Sequence, residues 1–282
     1  MSNENKHGLK RNIPEDIKKE VRNRSGFGCV CCGSIPYTYH HNRIPFSEAK
    51  QHDPGDIVLL CDHHHRMFHS GTLDADDIEL AVSTKRGVNV PTRYTQPIIK
   101  PDFYVRWSGV HVQATQQHVV VDYEPVLSFT FSDNPLEPIQ LSGTFRALDG
   151  TVLCQVTRNE FVVDAPVNGD FLHKGNRFVF KRNDNQLALS FTLGSSCMEI
   201  DYILHTYKDA FVYGCDGLLR VGNSKHVLGV RGGKCTECDE AIRVQSTMPS
   251  HIFNMNELKN VPYNEISGMN ISQCGGAVLV RA

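Results

Sequence analysis

The spacing of cysteine and histidine residues near the N-terminus constrains this chain most strongly. Cys29 and Cys32 are separated by two residues, and Cys61 and His64 repeat that gap. Two such pairs supply the four ligands of a tetrahedral zinc site. A unit of about 45 residues buries little apolar surface, and structural zinc supplies roughly 10 to 16 kcal/mol of coupled folding energy. The spacing therefore predicts structural zinc at Cys29, Cys32, Cys61 and His64, with Cys31 and His63 as neighbouring alternatives.

Seven of the fourteen histidines lie in the short run from Tyr39 to His69. His65 and His69 are four residues apart in a predicted helix after Cys61, so they share one helix face that can hold a metal ion. His40 and His41 end a predicted strand, "IPYTYHH", in which neighbouring side chains point to opposite sides. One of these two imidazoles can therefore bind metal while the other has a different role.

The order of these residues resembles the HNH endonucleases. His40 and His41 are followed by Asp56, then by His65 nine residues later and His69 four residues after that. The preceding cysteine pair resembles the subgroup of that family that carries a structural zinc knuckle. The resemblance covers residues 26–72 and implies a ββα-metal finger.

The resemblance also implies a role for each of these residues. His40, His65 and His69 would bind one catalytic divalent ion, and His41 would be the general base, because neutral imidazole accepts a proton from water near physiological pH. Asp56 stands where the family more often has asparagine, and a carboxylate there would orient His41 and raise its basicity. Three histidines do not identify the ion, which would be magnesium, manganese, nickel or zinc.

Beyond this region the pattern becomes that of a β protein. Short β-branched or aromatic segments such as "HVVVDY" and "RFVFK" are separated by turn sequences such as "LDG" and "HKGN". The predicted fold class is α+β, a small zinc-stabilised finger followed by an all-β sandwich, partial barrel or solenoid. We expect a basic N-terminal helix within 1–25, an HNH domain at 26–82, a linker at 83–112 and a β-rich regulatory or recognition domain at 113–282.

Charge and cysteine content add further expectations. The net charge of −2 does not indicate a nucleic-acid binder, but residues 1–45 carry eight basic and four acidic side chains. The polar N-terminus and short apolar runs predict a cytoplasmic protein without a membrane partner. In that compartment we expect the ten cysteines of the chain to be reduced thiols. Cys235 and Cys238 have zinc-like spacing and form a weak candidate for a second zinc site, an alternative to redox-active or unrelated thiols. The candidate phosphate contacts, which ordinary surface charge would also explain, are Arg43, Arg66, Lys18 and Arg22.

These features together predict a metal-dependent endonuclease that hydrolyses DNA phosphodiester bonds. Its β domain would target or gate the nuclease, as in bacterial antiphage effectors such as the HNH proteins associated with short Argonautes. The partner would then be such an Argonaute or a self-assembled oligomer. The alternative is a non-catalytic, zinc-stabilised nucleic-acid-binding subunit of a larger complex.

Overall fold

The computed structural model describes residues 3–84, 92–95, 98, 102–132, 134, 137–163, 169–182, 185–248, 255–273 and 278–280. The chain divides into two compact units. Unit 1 comprises Met1–Tyr94 and Ala165–Gly175, and unit 2 comprises Thr95–Asp164 and Asn176–Ala282. Within the described residues, no helix has the length and apolar character needed to cross a membrane.

Unit 1 is built around a short antiparallel hairpin. Its strands pair with His40 opposite Val58 and His41 opposite Ile57. The predicted N-terminal helix is present and begins directly after Pro14, with acidic residues in its first turn and basic residues in its last. The elements of unit 1 are α1 (Glu15–Arg24), β1 (Tyr37–His41), β2 (Ile57–Cys61), α2 (Asp62–His69), α3 (Ala75–Ser83) and β11 (Asp170–Lys174); β3 (Thr92–Thr95) lies at its boundary.

Strand β2, "IVLLC", is buried along its whole length and separates two small cores. Ile57 and Leu59 pack with Val21 of α1 in one core. Val58 and Leu60 pack in the other, which also contains Cys29, Cys61 and Ile78. Since neighbouring residues of a strand face opposite sides, the hairpin has one face toward α1 and another toward the cysteines, α2 and α3.

Unit 2 is a β domain, as the sequence predicts. Its helix within the described residues is α4 (Met255–Asn260). Its strands are β4 (Tyr104–Trp107), β5 (Val110–Gln113), β6 (Gln117–Val121), β7 (Glu124–Thr130), β8 (Gln140–Arg146), β9 (Val152–Thr157), β10 (Glu160–Val163), β12 (Arg177–Lys181), β13 (Leu187–Leu193), β14 (Cys197–Tyr207), β15 (Ala210–Cys215), β16 (Leu218–Gly222), β17 (Val227–Thr236), β18 (Glu240–Val244), β19 (Asn264–Ser272) and β20 (Val278–Val280).

The strands of unit 2 form two sheets. One has the order β20-β18-β6-β7-β8-β9-β10, and the other has the order β12-β13-β14-β15-β16-β17-β5-β4, with β19 added beside β17. Strand β4 also pairs in parallel with β14, which closes β14, β15, β16, β17, β5 and β4 into a ring. Buried rings of Phe145, Phe161, Phe178 and Phe191 lie 4.6 to 6.1 Å apart and join strands of both sheets.

The predicted linker at 83–112 is wrong in its second half. Tyr104–Trp107 and Val110–Gln113 are paired strands of unit 2, and the side chain of Trp107 is fully buried. The predicted boundary at 113 also assigns residues 165–175 to the β domain, whereas they belong to unit 1. Both differences have the same cause, because short strands are fixed by pairing partners that are distant in sequence.

Candidate metal centres and the His41 site

The first ligand pair lies in a tight turn. The backbone N–H groups of Cys32 and Gly33 both donate to the carbonyl oxygen of Cys29, at 3.2 and 2.7 Å. Gly33 has φ of 73°, a conformation that glycine adopts without strain. A Cβ on Gly28 would lie 2.3 Å from the carbonyl oxygen of Gly33. The turn therefore requires glycine at both positions, and it brings the two thiols to the same side.

The second ligand pair lies where β2 ends and α2 begins. Cys61 is the last residue of β2 and the residue that precedes α2, and His64 lies in the first turn of that helix. The Nδ1 atom of His64 lies 3.2 Å from the Sγ atom of Cys61 and 3.6 Å from those of Cys29 and Cys32. Cys32 Sγ and Cys61 Sγ are 3.9 Å apart.

These distances match a tetrahedral metal site. Sulfur ligands about 2.3 Å and nitrogen ligands about 2.0 Å from a tetrahedral zinc ion lie roughly 3.5 to 3.8 Å from one another. All four ligand atoms lie within 4.8 Å of one another, and two of the residues are buried. Cys29, Cys32, Cys61 and His64 thus form a cluster that can bind a metal such as zinc.

The close packing of the thiols also changes their pKa values. A hydrogen bond with Cys31, together with burial, raises the pKa of Cys29 to about 12 despite the opposing contact with Cys32. Hydrogen bonding with Cys29 and burial raise the pKa of Cys32 as well. Thiolates packed this closely repel one another, and a divalent cation supplies the charge that stabilises them.

Three histidines, His40, His65 and His69, form a second cluster. His40 is contributed by β1, and His65 and His69 are contributed by α2. The Nε2 atoms of His65 and His69 are 3.3 Å apart, and one nitrogen from each of the three rings lies within 4.8 Å of the others. Two imidazole nitrogens bound to one ion at about 2.1 Å lie roughly 3.0 to 3.5 Å apart.

His40 fits the role of a metal ligand. Its side chain is 8% exposed, its ring packs against Phe68 at 4.3 Å, and its Nε2 atom is buried without a hydrogen-bond partner. Burial and then the neighbouring His65 and His69 lower the pKa of His40 to about 4. Burial and His69 also lower the pKa of His65. Neutral imidazoles that converge in this way are prepared to bind a cation.

His41 faces the opposite side of β1. Its Nδ1 atom lies 3.8 Å from the Asp56 carboxylate. That carboxylate is fixed by the backbone N–H groups of Arg43 and Ile44, at 2.7 and 3.3 Å. Burial and then His52 lower the pKa of His41, while Asp56 acts in the opposite direction. His41 is thus a neutral imidazole whose Nδ1 faces an immobilised carboxylate.

The structure also locates the predicted phosphate contacts, and it overturns one of them. Arg22 is 2% exposed and binds Asp170 within unit 1, so it cannot reach a phosphate. Arg43 is exposed, but its guanidinium is paired with Asp76 and Glu79. Arg66 is exposed on α2. Lys18 of α1 is half-buried and donates to Asn12 Oδ1 at 3.4 Å.

The pair in unit 2 has no comparable metal geometry. Cys235 and Cys238 are 4% and 3% exposed, and both lie near Thr115. No further cysteine, histidine or carboxylate completes a metal cluster with them among the described residues. Cys274 and His251, whose side chains could also act as ligands, lie outside the described residues.

Two residues beside His41 were not identified from sequence. The rings of Phe46 and His52 lie 5.8 and 5.5 Å from the His41 ring. Both belong to the irregular segment between β1 and β2, where no periodicity indicates which side chains turn inward.

Comparisons with family models, with curated proteins and with solved structures found no match for this chain.

Proposed function

We propose that this protein is a metal-dependent endonuclease of the HNH type that hydrolyses phosphodiester bonds in DNA. The observation that supports this most directly is the alternation at the end of β1. His40 turns toward His65 and His69, and the next residue, His41, turns toward Asp56. One candidate metal ligand and one candidate base are therefore adjacent residues of one strand.

Each residue has a defined task in this proposal. His40, His65 and His69 would hold a divalent cation, which would supply charge to bind the scissile phosphate and to stabilise the leaving oxygen. His41 would take a proton from the attacking water. This transfer requires a neutral imidazole with a free lone pair on one ring nitrogen. Asp56 would hold the His41 ring in orientation through Nδ1. Cys29, Cys32, Cys61 and His64 would bind structural zinc and fix the start of α2.

The test is cleavage of supercoiled plasmid by the purified full chain with magnesium, manganese, nickel or zinc, and with EDTA. We expect metal-dependent nicking that falls by a factor of roughly 10² to 10⁴ in His41→Ala, with unchanged metal content. His69→Ala should lose both the activity and one equivalent of metal. His63→Ala is the matched control, because His63 is exposed on the same helix and belongs to neither cluster.

The outcomes separate this proposal from its alternative. Nicking that persists in His41→Ala would refute the assigned base. Binding of DNA without cleavage under any of these metals would favour the non-catalytic nucleic-acid-binding subunit.

A further inference from the structure

Residues 3–11, here the N-terminal hairpin, form a compact turn of their own. Asn5 Oδ1 accepts from the backbone N–H groups of His7 and Leu9, at 2.9 and 3.0 Å. The backbone N–H of Arg11 donates to the carbonyl oxygen of Asn3 at 2.9 Å, and Glu4 and Lys10 form an antiparallel bridge. The hairpin is therefore held in shape by its own hydrogen bonds.

The N-terminal hairpin is attached to the segment that connects β1 and β2, here the His41 loop, residues 42–56. Asn5 Nδ2 donates to the carbonyl oxygens of Phe46 and Ala49 at 2.6 and 2.7 Å. His52 Nε2 lies 2.9 Å from the carbonyl oxygen of Lys10. Two further contacts are an ion pair between Lys6 and Glu48 and a cation–π contact of 4.8 Å between Arg11 and Phe46.

This loop covers His41. The two loop rings nearest to His41 are those of Phe46 and His52, and both are among the residues that the hairpin contacts. The side chain of His41 is 9% exposed, and its Nε2 atom is buried with no hydrogen-bond partner. A general base must approach the water it activates to about 2.6 to 3.2 Å. The loop therefore has to move before His41 Nε2 can meet water or a phosphodiester.

We propose that the N-terminal hairpin is a clasp that holds the His41 loop closed over His41, and that a nucleic-acid backbone releases it. The gating role rests on the proposed nuclease function. Two of the side chains that make the clasp, Lys6 and Arg11, are exposed cations that a polyanion attracts, and the exposed Lys10 side chain lies on the same hairpin. Phosphates compete with Glu48 for Lys6 and with the Phe46 ring for Arg11. The ligand that releases the hairpin would thus be a nucleic acid, the same class of molecule that the site would cleave.

The clasp is tested by the reactivity of His41 toward diethylpyrocarbonate, measured by mass spectrometry on the full chain. Asn5→Asp retains the acceptor for His7 and Leu9 but removes the donor to Phe46 and Ala49. We expect His41 to react roughly tenfold faster in this variant, since two hydrogen bonds are lost. Asn3→Asp makes the same charge change at an exposed position and should leave the rate unchanged.

The labelling experiment tests the clasp whether or not the protein cleaves DNA. An unchanged His41 rate in Asn5→Asp would overturn the clasp even if the plasmid is nicked. If nicking occurs, Asn5→Asp should increase it several-fold, and equal or slower nicking would overturn the gating role. Hydrogen exchange in residues 3–11 should accelerate when a short DNA duplex is added. Slower or unchanged exchange there would overturn release by substrate.

Discussion

Replacing Arg22 with methionine should destabilise unit 1 by about 3 to 5 kcal/mol. The guanidinium binds the Asp170 carboxylate in a bidentate manner, through Nε at 2.9 Å and Nη2 at 2.7 Å. It also donates to the Tyr39 hydroxyl at 2.9 Å and to the Glu15 carboxylate at 2.8 Å. The side chains of Arg22 and Asp170 are only 2% and 3% exposed.

The magnitude follows from what the substitution leaves behind. Burial alone would lower the pKa of Arg22, but its hydrogen bonds to Asp170 and the contact with Tyr39 reverse that effect and raise the pKa. Arg22→Met removes all of these bonds and leaves the Asp170 carboxylate buried without its countercharge. An uncompensated buried charge costs several kcal/mol, whereas an exposed ion pair contributes about 1 kcal/mol or less. A loss of 3 to 5 kcal/mol is a large share of a domain stability of roughly 5 to 15 kcal/mol.

Two reporters distinguish the units in this experiment. Native-state hydrogen exchange of peptides covering β1 and β2 reports on unit 1, and the fluorescence of the single tryptophan, Trp107, reports on unit 2. We expect exchange in β1 and β2 to accelerate by roughly 10² to 5 × 10³-fold, which corresponds to about 3 to 5 kcal/mol. Lys19→Met, on the same helix, controls for loss of a positive charge. Protection within a factor of about 5 of wild type would refute the assigned role of the pair.

A double variant tests the reasoning further. Arg22→Met combined with Asp170→Leu removes both charges and restores apolar volume, so it should recover most of the stability lost in Arg22→Met. A double variant as unstable as the single one would mean that the hydrogen bonds to Tyr39 and Glu15, rather than the unpaired carboxylate, determine the loss.

Three further perturbations have defined outcomes. Cys61→Ser should lower bound zinc by about one equivalent, measured by metal analysis, because three of the four ligands bind zinc far more weakly. Gly28→Ala should weaken zinc retention against a chelator, since its Cβ would collide with the carbonyl oxygen of Gly33. His118 and His205 are buried in unit 2, and burial lowers the pKa of each from 6.5 to about 3. Because the folded pKa lies below the unfolded one, stability is lost as pH falls from about 6.5 toward 3, by roughly 2 kcal/mol per histidine at pH 5. Denaturant unfolding followed by Trp107 fluorescence at pH 7.5 and pH 5 measures this loss, and equal midpoints would contradict it.

The metal clusters could be predicted from sequence because their ligands are local. Cys61 and His64 flank the start of one helix, and His65 and His69 are one turn apart on it. The distances among the ligand atoms of Cys29, Cys32, Cys61 and His64 confirm the first set as a cluster that can bind a metal. The role of the second set in catalysis stays a prediction, because convergence of side chains does not report on turnover.

The contact between Asp170 and Arg22 could not be predicted in the same way. Asp170 lies 148 residues from Arg22 in sequence, and no local pattern relates the two. Arg22 lies on a helix whose other charged residues are three acids and three bases, so its charge indicated a solvated position. A charged side chain can be buried where a countercharge from elsewhere in the chain compensates it. The burial of Arg22 is therefore a property of the tertiary structure alone.

Helix α2 connects the two candidate metal clusters. His64 of the zinc cluster and His65 of the histidine cluster are adjacent residues, and α2 starts directly after Cys61. Only eight residues long, α2 is too short to be stable alone, and its orientation depends on what fixes its first turn. Loss of zinc should therefore also displace His65 and His69 from His40. We expect Cys61→Ser to weaken binding of manganese at the histidine cluster, although Cys61 is not one of its proposed ligands. Unchanged manganese affinity in that variant would show that packing of Phe68 against His40 is sufficient to hold the helix.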